Sequence, residues 1–251
     1  MSVLDRLSVQ LYSAREFPPL EAQLDTLVAL GYRKVEPYGG LLDQAETVAP
    51  ALRSRGLAAP SSHIGLAKLQ TDFDGAVRAA QAMAIPLLIV PAVPHDQREK
   101  DAAGWLALGR ELDAQQKKLR AEGIRLAWHN HAFEFKRTAD GRYPMDLILE
   151  GAPEIQWQVD VGWLDRAGEP AADWVARYRD RIVAFHVKDV APAGENADED
   201  GWADIGFGVL DWAALLPVME SASPELLVLE HDKPNDFARF VRRSMETIKR
   251  W

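Results

Sequence analysis

The sequence predicts an α/β protein that forms a single (β/α)₈ TIM barrel over residues 1–251, and three observations support this prediction. The chain has the usual length of one such barrel, and 47% of its residues are hydrophobic, which is enough to fill a core. Short apolar segments alternate with helix-like segments along the whole chain, as parallel strands with right-handed crossovers require. No glycine-rich phosphate loop follows the first strand, whereas the alternative, an open doubly wound sheet, would place one there.

Eight segments are predicted to be strands because each is short, rich in apolar or β-branched residues, and bounded by glycine, proline or polar residues. In chain order they are Leu7–Ser13, Lys34–Gly39, Leu57–Leu66, Pro86–Val93, Ile124–His131, Ile155–Trp163, Ile182–Val190 and Leu226–Asp232. The segments between them have helical spacing of apolar residues, and Gly31, Gly56 and Gly123 are plausible helix ends. The predicted helices are Leu20–Leu30, Leu41–Arg55, Phe73–Met83, Lys100–Glu122, Pro144–Glu150, Ala171–Tyr178, Leu210–Met219 and Asp236–Trp251.

The composition excludes several classes of function. The net charge of -9 disfavours a nucleic-acid partner, because such a surface needs a basic stripe to bind phosphates. The lack of cysteine excludes disulfides and thiolate metal sites, so any metal must bind to oxygen and imidazole ligands. The sequence contains no recognisable signal peptide and no apolar run of membrane-spanning length, and we therefore expect a cytoplasmic enzyme without a membrane partner. A homo-oligomer is compatible with the sequence.

Three predicted strands end on residues that can bind a metal, namely Asp160, His186 and Glu230. Alternate residues of a strand share one face, and the residues deeper on these faces are mostly small or apolar, as the interior of a barrel requires. Because the carboxyl ends of the strands meet at one rim, we expect these three side chains to converge there. Such a set suits Mn²⁺, Mg²⁺, Co²⁺ or Zn²⁺.

A fourth ligand is expected from the fifth strand or the residues just beyond it. Glu134 is the first choice, because its carboxylate follows the strand closely enough to turn back over the rim. His129 and His131 are the alternatives. Each ligand also has a structural reading, as a hydrogen-bonded histidine, a rim salt bridge or a helix cap, but their coincidence at consecutive strand ends favours a metal.

Five motifs resemble those of the xylose isomerase-like TIM barrels called sugar phosphate isomerases/epimerases. They are WHNHAFEF, QVDVGWLDRAG, FHVKD, DIGFGVLDW and VLEHD. The resemblance covers nearly the whole chain, and it implies a divalent metal held by Glu, Asp, His and Glu at strand ends. The last three correspond to Asp160, His186 and Glu230. The first does not, because the usual Glu-Asn-His string reads His129-Asn130-His131 here.

The resemblance implies a sugar or keto-sugar isomerase or epimerase, which removes a proton next to a carbonyl and forms an enediolate. Glu230 and Glu134 are the expected pair for this proton transfer, with His131 as a further candidate. Lys188 either donates to the developing oxyanion or forms an ion pair with an acid such as Asp160. A dehydratase or lyase acting on keto-inositols or 3-keto-glycosides is the alternative enzyme, and a non-catalytic small-molecule-binding barrel is the alternative outside catalysis.

A small-molecule carbohydrate is therefore the expected partner. His63, at the end of the third strand, and His129 are expected to contact it. Trp163 lies near the rim, where its ring either packs structurally or stacks on a sugar face.

Overall fold

The structure is a computed structural model that describes residues 2–98 and 100–251. Within these residues eight parallel strands form one sheet in the order β2-β1-β8-β7-β6-β5-β4-β3. The strands are β1 Leu7–Gln10, β2 Val35–Glu36, β3 Ser62–His63, β4 Leu87–Val90, β5 Arg125–His129, β6 Gln156–Asp160, β7 Ile182–Val187 and β8 Leu226–Leu229. Backbone hydrogen bonds join the segments around β2 and β3, with the Val35 amide donating to the Ala58 carbonyl at 2.9 Å. The sheet is thus a nearly closed barrel, and the (β/α)₈ prediction is confirmed.

Helices surround the barrel. They are Val3–Arg6, Leu20–Leu30, Gly39–Leu42, Ala45–Arg53, Leu66–Thr71, Phe73–Ala82, Ala102–Ala121, Pro144–Gly151, Val161–Arg166, Ala171–Tyr178, Trp212–Ser221 and Phe237–Ile248. The helices Leu66–Thr71 and Val161–Arg166 begin where the predicted strands were too long, because short apolar runs fit either period. In the part of the chain that the structure describes, none of these helices has both the length and the apolar character needed to cross a bilayer.

The barrel interior below the rim is apolar. A separate buried cluster contains Leu87, Ile89, Ala127, Ala184 and Val228, among others, and it fills the space under the strand ends. Ala127, Ala184 and Val228 each lie two residues before His129, His186 or Glu230, on the face that strand alternation predicts to point inward. Because the floor cannot solvate charge, the polar residues above it must satisfy one another or bind a ligand.

The carboxylate of Asp189 helps to hold the segment after β7 over the rim. Asp189 is buried and accepts hydrogen bonds from the backbone amides of Gly206, Gly208 and Leu210 and from the indole of Trp212. Asp189–Val190 also pairs with Trp202–Ala203 as a short antiparallel ribbon. This arrangement places the Trp202 ring against the rim, where it covers Lys188.

Candidate metal centre and substrate pocket

Four side chains from consecutive strands of the sheet converge at the rim. His129 and Asp160 are the last residues of β5 and β6, His186 lies on β7, and Glu230 directly follows β8. Asp160 is opposite His186 in the sheet register, so the two project from the same level. One ligand atom of each of the four lies within 4.8 Å of the others, and all four residues are buried. These residues form the candidate metal centre.

The hydrogen-bond pattern of the candidate ligand atoms is compatible with a bound divalent cation. Asp160 Oδ1 accepts a hydrogen bond from the Trp163 amide at 2.9 Å, whereas Oδ2 is buried and has no hydrogen-bond partner among the described residues. His129 Nε2 and His186 Nδ1 each lie 3.9 Å from that free oxygen. The Lys188 ammonium lies 3.4 Å from this oxygen and compensates its charge without a hydrogen bond. A cation between the three ligand atoms would supply the missing direct contact.

The other nitrogen of each histidine faces a hydrogen-bond acceptor. His186 Nε2 lies 2.8 Å from Glu36 Oε1, and His129 Nδ1 lies 3.1 Å from Gln158 Oε1. If these nitrogens carry the protons, His186 Nδ1 and His129 Nε2 have their lone pairs directed to the centre. Orientation of a metal-binding histidine by an outer carboxylate or amide is the common arrangement in metal sites.

Glu36 is hydrogen-bonded to several polar side chains beneath the centre, and it was not among the candidate residues predicted from the sequence. Its carboxylate is fully buried and accepts from Gln10 Nε2 and Gln158 Nε2, each at 2.8 Å, in addition to His186. Burial alone would raise the pKa of Glu36, but the nearby His63 and His186 lower it below its usual range. The available signal was the segment KVEPYG, in which an acid ends a β-branched run as in the other ligand strands.

His186 lies between two carboxylates. Its Nδ1 is 2.9 Å from Glu230 Oε2, and its Nε2 faces Glu36. Burial would lower the pKa of His186, but attraction to Glu230 and Glu36 outweighs it and raises the pKa to about 10. In the metal-free protein the imidazole therefore carries both protons, and the Nδ1 proton occupies the lone pair that a metal would need.

Lys188 provides the second buried positive charge. Its ammonium lies 2.7 Å from Glu230 Oε2, 2.8 Å from Asp232 Oδ1 and 3.4 Å from Asp160 Oδ2. The Trp202 ring centroid lies 4.6 Å from Nζ. Burial opposes the charge, but the three carboxylates raise the pKa of Lys188 above its usual range. The expected ion pair with Asp160 is therefore part of a larger network of charges. Asp232 belongs to this network and was not predicted from the sequence.

Glu134 does not reach this centre. Its two carboxylate oxygens accept hydrogen bonds from Trp128 Nε1 at 3.1 Å and from the His131 amide at 2.9 Å. Among the described residues it is not part of the group that forms the candidate metal centre. Burial raises the pKa of Glu134 well above its usual range and so favours the neutral acid, which is a poor metal ligand. We therefore replace Glu134 by His129 as the candidate fourth ligand.

The remaining residues of the HNH string support their neighbours. Asn130 Oδ1 accepts from the Trp157 indole and from the Asp160 amide, both at 3.0 Å, so it holds the end of β6 against β5. The His131 ring centroid lies 5.2 Å from that of Trp163. Burial lowers the pKa of His131 to about 3, and its imidazole is therefore neutral near pH 7.

A cavity of about 390 Å³ opens above the centre. We call it the rim pocket, and its polar side consists of His63, His129, His131, Glu230 and Asp232. The expected substrate contacts His63 and His129 thus line one cavity. Both also face the layer below, where His63 Nε2 lies 2.8 Å from Gln158 Oε1. Trp163 is half-buried and packs between His131 and Lys188.

The barrel fold and the buried acids and histidines at its rim are compatible with a metal-binding TIM-barrel protein. The sequence itself matches a family of TIM barrels. The chain belongs to the xylose isomerase-like TIM barrel family, whose sequence model matches residues 24–251. No curated protein gives a significant match to the chain.

Several solved structures share the fold. A sugar phosphate isomerase/epimerase from Parabacteroides distasonis has a TM-score of 0.79 and 17% identity, over 96% of this chain and 93% of that one. The probable 3-DHS dehydratase AsbF from Bacillus anthracis has a TM-score of 0.75 and 12% identity, over 97% and 98% of the two chains. The IolI protein, whose structure contains a zinc atom, has a TM-score of 0.74 and 14% identity, over 98% and 95%. At such identities the similarity concerns the fold.

Proposed function

We propose that this protein is a divalent-metal-dependent isomerase or epimerase of a keto-sugar, which works by removing a proton next to a carbonyl. The observation that supports this most directly is the group of His129, Asp160, His186 and Glu230. Within it, Asp160 Oδ2 has no hydrogen-bond partner among the described residues and makes only a 3.4 Å ion-pair contact with Lys188. Membership of the xylose isomerase-like family is consistent with this chemistry.

The four residues would hold the cation through two imidazole nitrogens and two carboxylates. When bound, such an ion stabilises the negative charge that develops on a carbonyl oxygen as the neighbouring carbon loses its proton. Mn²⁺, Mg²⁺, Co²⁺ and Zn²⁺ all accept this mixed ligand set. Glu230 would turn its carboxylate oxygen from Lys188 to the metal, and Lys188 would keep its ion pair with Asp232.

Proton transfer requires groups on the two sides of the bound sugar. Asp232 follows β8 and His131 follows β5, and both line the rim pocket on either side of the strands that carry Asp160 and His186. We assign the removal and return of the proton to these side chains together with Glu230. The neutral imidazole of His131 can accept the proton and, once protonated, return it. Lys188 lies beside Glu230 and supplies positive charge to the developing oxyanion.

A dehydratase or lyase outcome uses the same first step. If the substrate carries a leaving group next to the carbanion, the enediolate expels it instead of being reprotonated. His131 faces the pocket and is positioned to assist such a departure.

Metal analysis of purified variants tests the centre. We expect about one equivalent of divalent metal in the wild type and its loss in His129→Ala and Asp160→Ala. Glu134→Gln is the matched control, because this buried carboxyl lies a few residues away and makes its hydrogen bonds outside the centre. Metal retained in both ligand variants would contradict the site, and a metal-free wild type that still binds sugar would indicate a binding protein.

The reaction itself is tested by NMR in D₂O with a panel of ketoses and keto-inositols. Deuterium incorporated at one carbon would identify the acidic position. The proposal requires this exchange to depend on added metal and to disappear in Asp160→Ala.

A further inference from the structure

Part of the wall of the rim pocket is apolar and aromatic. It contains Tyr12, Tyr38, Ile64, Pro91 and Ala92. The cavity volume of about 390 Å³ lies within the range of small-molecule sites. The pocket lining thus provides both polar side chains and an apolar surface on which the ring of a ligand can pack.

Tyr12 and Tyr38 form a preformed corner in this wall. Their ring centroids are 5.4 Å apart and their planes meet at 84°. The Arg15 guanidinium lies 3.8 Å from the centre of the Tyr12 ring and donates to the Tyr12 carbonyl. A Cβ atom at Gly40 would lie 2.9 Å from the Tyr38 ring, so glycine allows this ring its position. Tyr12 remains 38% exposed, which is unusual for a large aromatic side chain and leaves ring surface available.

The charges around the pocket are unsuited to an anion. Among the described residues, the acidic and basic side chains that line it are Glu230 and Asp232, both negative. Arg15 is close but its guanidinium is used by the carbonyls of Tyr12 and Asp232 and by the Tyr12 ring. Lys188 is enclosed by carboxylates and tryptophans beneath the pocket. With the metal occupied by the reacting carbonyl, a phosphate or carboxylate elsewhere on the substrate would therefore be desolvated here without a basic side chain to bind it.

We propose that the substrate is an uncharged, unphosphorylated carbohydrate whose apolar ring face packs on the corner formed by Tyr12 and Tyr38. This inference rests on the proposed function, because it places the reacting carbonyl at the candidate metal centre. The hydroxyl groups of the sugar face the histidines and acids, while the ring carbons cover the tyrosines. The absence of lysine and arginine side chains among the described lining residues separates this pocket from one built for sugar phosphates.

Ligand-induced thermal stabilisation of the metal-loaded protein tests the substrate class. The probes are pairs that differ only by a phosphate, such as fructose and fructose 6-phosphate, or xylulose and xylulose 5-phosphate, together with neutral keto-inositols. We expect stabilisation by neutral members, with each phosphorylated partner binding at least about tenfold more weakly. A phosphorylated ketose that stabilises the protein more than its neutral partner would overturn the proposal.

Variants of the corner test its location. Tyr12→Ala and Tyr38→Leu should weaken the neutral ligand about tenfold, as loss of ring contact implies. Gly40→Ala should have a similar effect by displacing Tyr38 while keeping both tyrosines. Phe207→Ala is the control, because Phe207 is an exposed aromatic residue outside the lining of the pocket. Unchanged affinity in all three corner variants would overturn the assignment.

Metal content separates this inference from the proposed function. The corner variants should retain the metal of the wild type, since Tyr12 and Tyr38 contact none of the four candidate ligands among the contacts described above. A protein that prefers neutral sugars but binds no metal would contradict the proposed function alone. A protein that binds metal but prefers phosphorylated sugars would contradict the substrate class alone.

Discussion

Substitution of Glu36 by glutamine removes one charge from beneath the candidate metal centre and changes the partner of a ligand. Glu36 Oε1 faces His186 Nε2 at 2.8 Å, and both oxygens of the carboxylate receive donors from the surrounding layer. Glutamine replaces one acceptor oxygen by an NH₂ group, which then faces the donors that the carboxylate had accepted. At least one buried hydrogen bond is therefore lost. The imidazole of His186 then loses the strongest constraint on its orientation and tautomer.

The expected magnitude follows from this geometry. Loss of an outer carboxylate partner of a metal-binding histidine lowers metal affinity by about 10–100-fold, which equals about 1.4–2.7 kcal/mol. One unsatisfied buried donor lowers the free energy of unfolding by about 1–3 kcal/mol. Calorimetric titration of the metal-free variant with Mn²⁺ or Zn²⁺ measures the first quantity, and urea unfolding measures the second.

A matched control separates metal binding from general stability. Ser61→Ala removes a hydroxyl donor from the other oxygen of Glu36 and leaves the acceptor for His186 in place. We expect it to lower stability by about 1 kcal/mol and to leave metal affinity within about threefold of the wild type. Glu36→Gln with wild-type metal affinity in a folded protein would refute the positioning role of Glu36.

Four further predictions concern charge and packing near the rim. Lys188→Met should retain the metal but lower turnover at least about tenfold, since it removes the ammonium beside Glu230 without removing a ligand; wild-type rates would leave Lys188 with a structural role only. Metal affinity should rise up to about tenfold per pH unit from pH 7 towards 10, because His186 must lose a proton whose pKa is about 10 in the metal-free protein, and a flat profile would exclude His186 as a ligand. In the metal-free protein the same raised pKa stabilises the fold fully below about 6.5 and loses this effect as the pH rises through about 10, which urea unfolding at pH 7 and pH 10.5 measures. Gly208→Ala places a Cβ 2.2 Å from Asp189 Oδ1 and 2.3 Å from the Val190 carbonyl, so it should cost about 1–3 kcal/mol and increase proteolysis of the loop after β7; an unchanged urea midpoint would show that Asp189 does not hold this loop.

The strand ends show which candidate site residues can be predicted from the local sequence. Asp160, His186 and Glu230 could be predicted as candidate ligands from the sequence, because strand alternation is a local property and an acid or histidine after an apolar run is visible without its partners. Glu36 has the same signal, but β2 is only two residues long, and its partners come from four other segments. Its importance depends on contacts that no local window contains.

Glu134 shows the opposite error. Its type and distance from β5 suit a ligand, but the turn at Phe133–Phe135 directs its carboxylate to Trp128 and the His131 amide. The direction of a side chain beyond a strand depends on the backbone of the loop, which the strand pattern does not determine. His129, which was only an alternative, takes the place next to Asp160.

The sequence by itself determined the barrel and predicted a set of candidate ligands at its rim, because periodicity, length and residue type are properties of the chain. Only the tertiary structure decided which acids and imidazoles share one centre, since distances between strands depend on sheet register and loop geometry. The tertiary structure also decided their protonation, because burial and neighbouring charges from distant segments move the pKa of His186 upward and that of His131 downward. The proposal of a metal therefore depends on the packing of side chains that are far apart in the sequence.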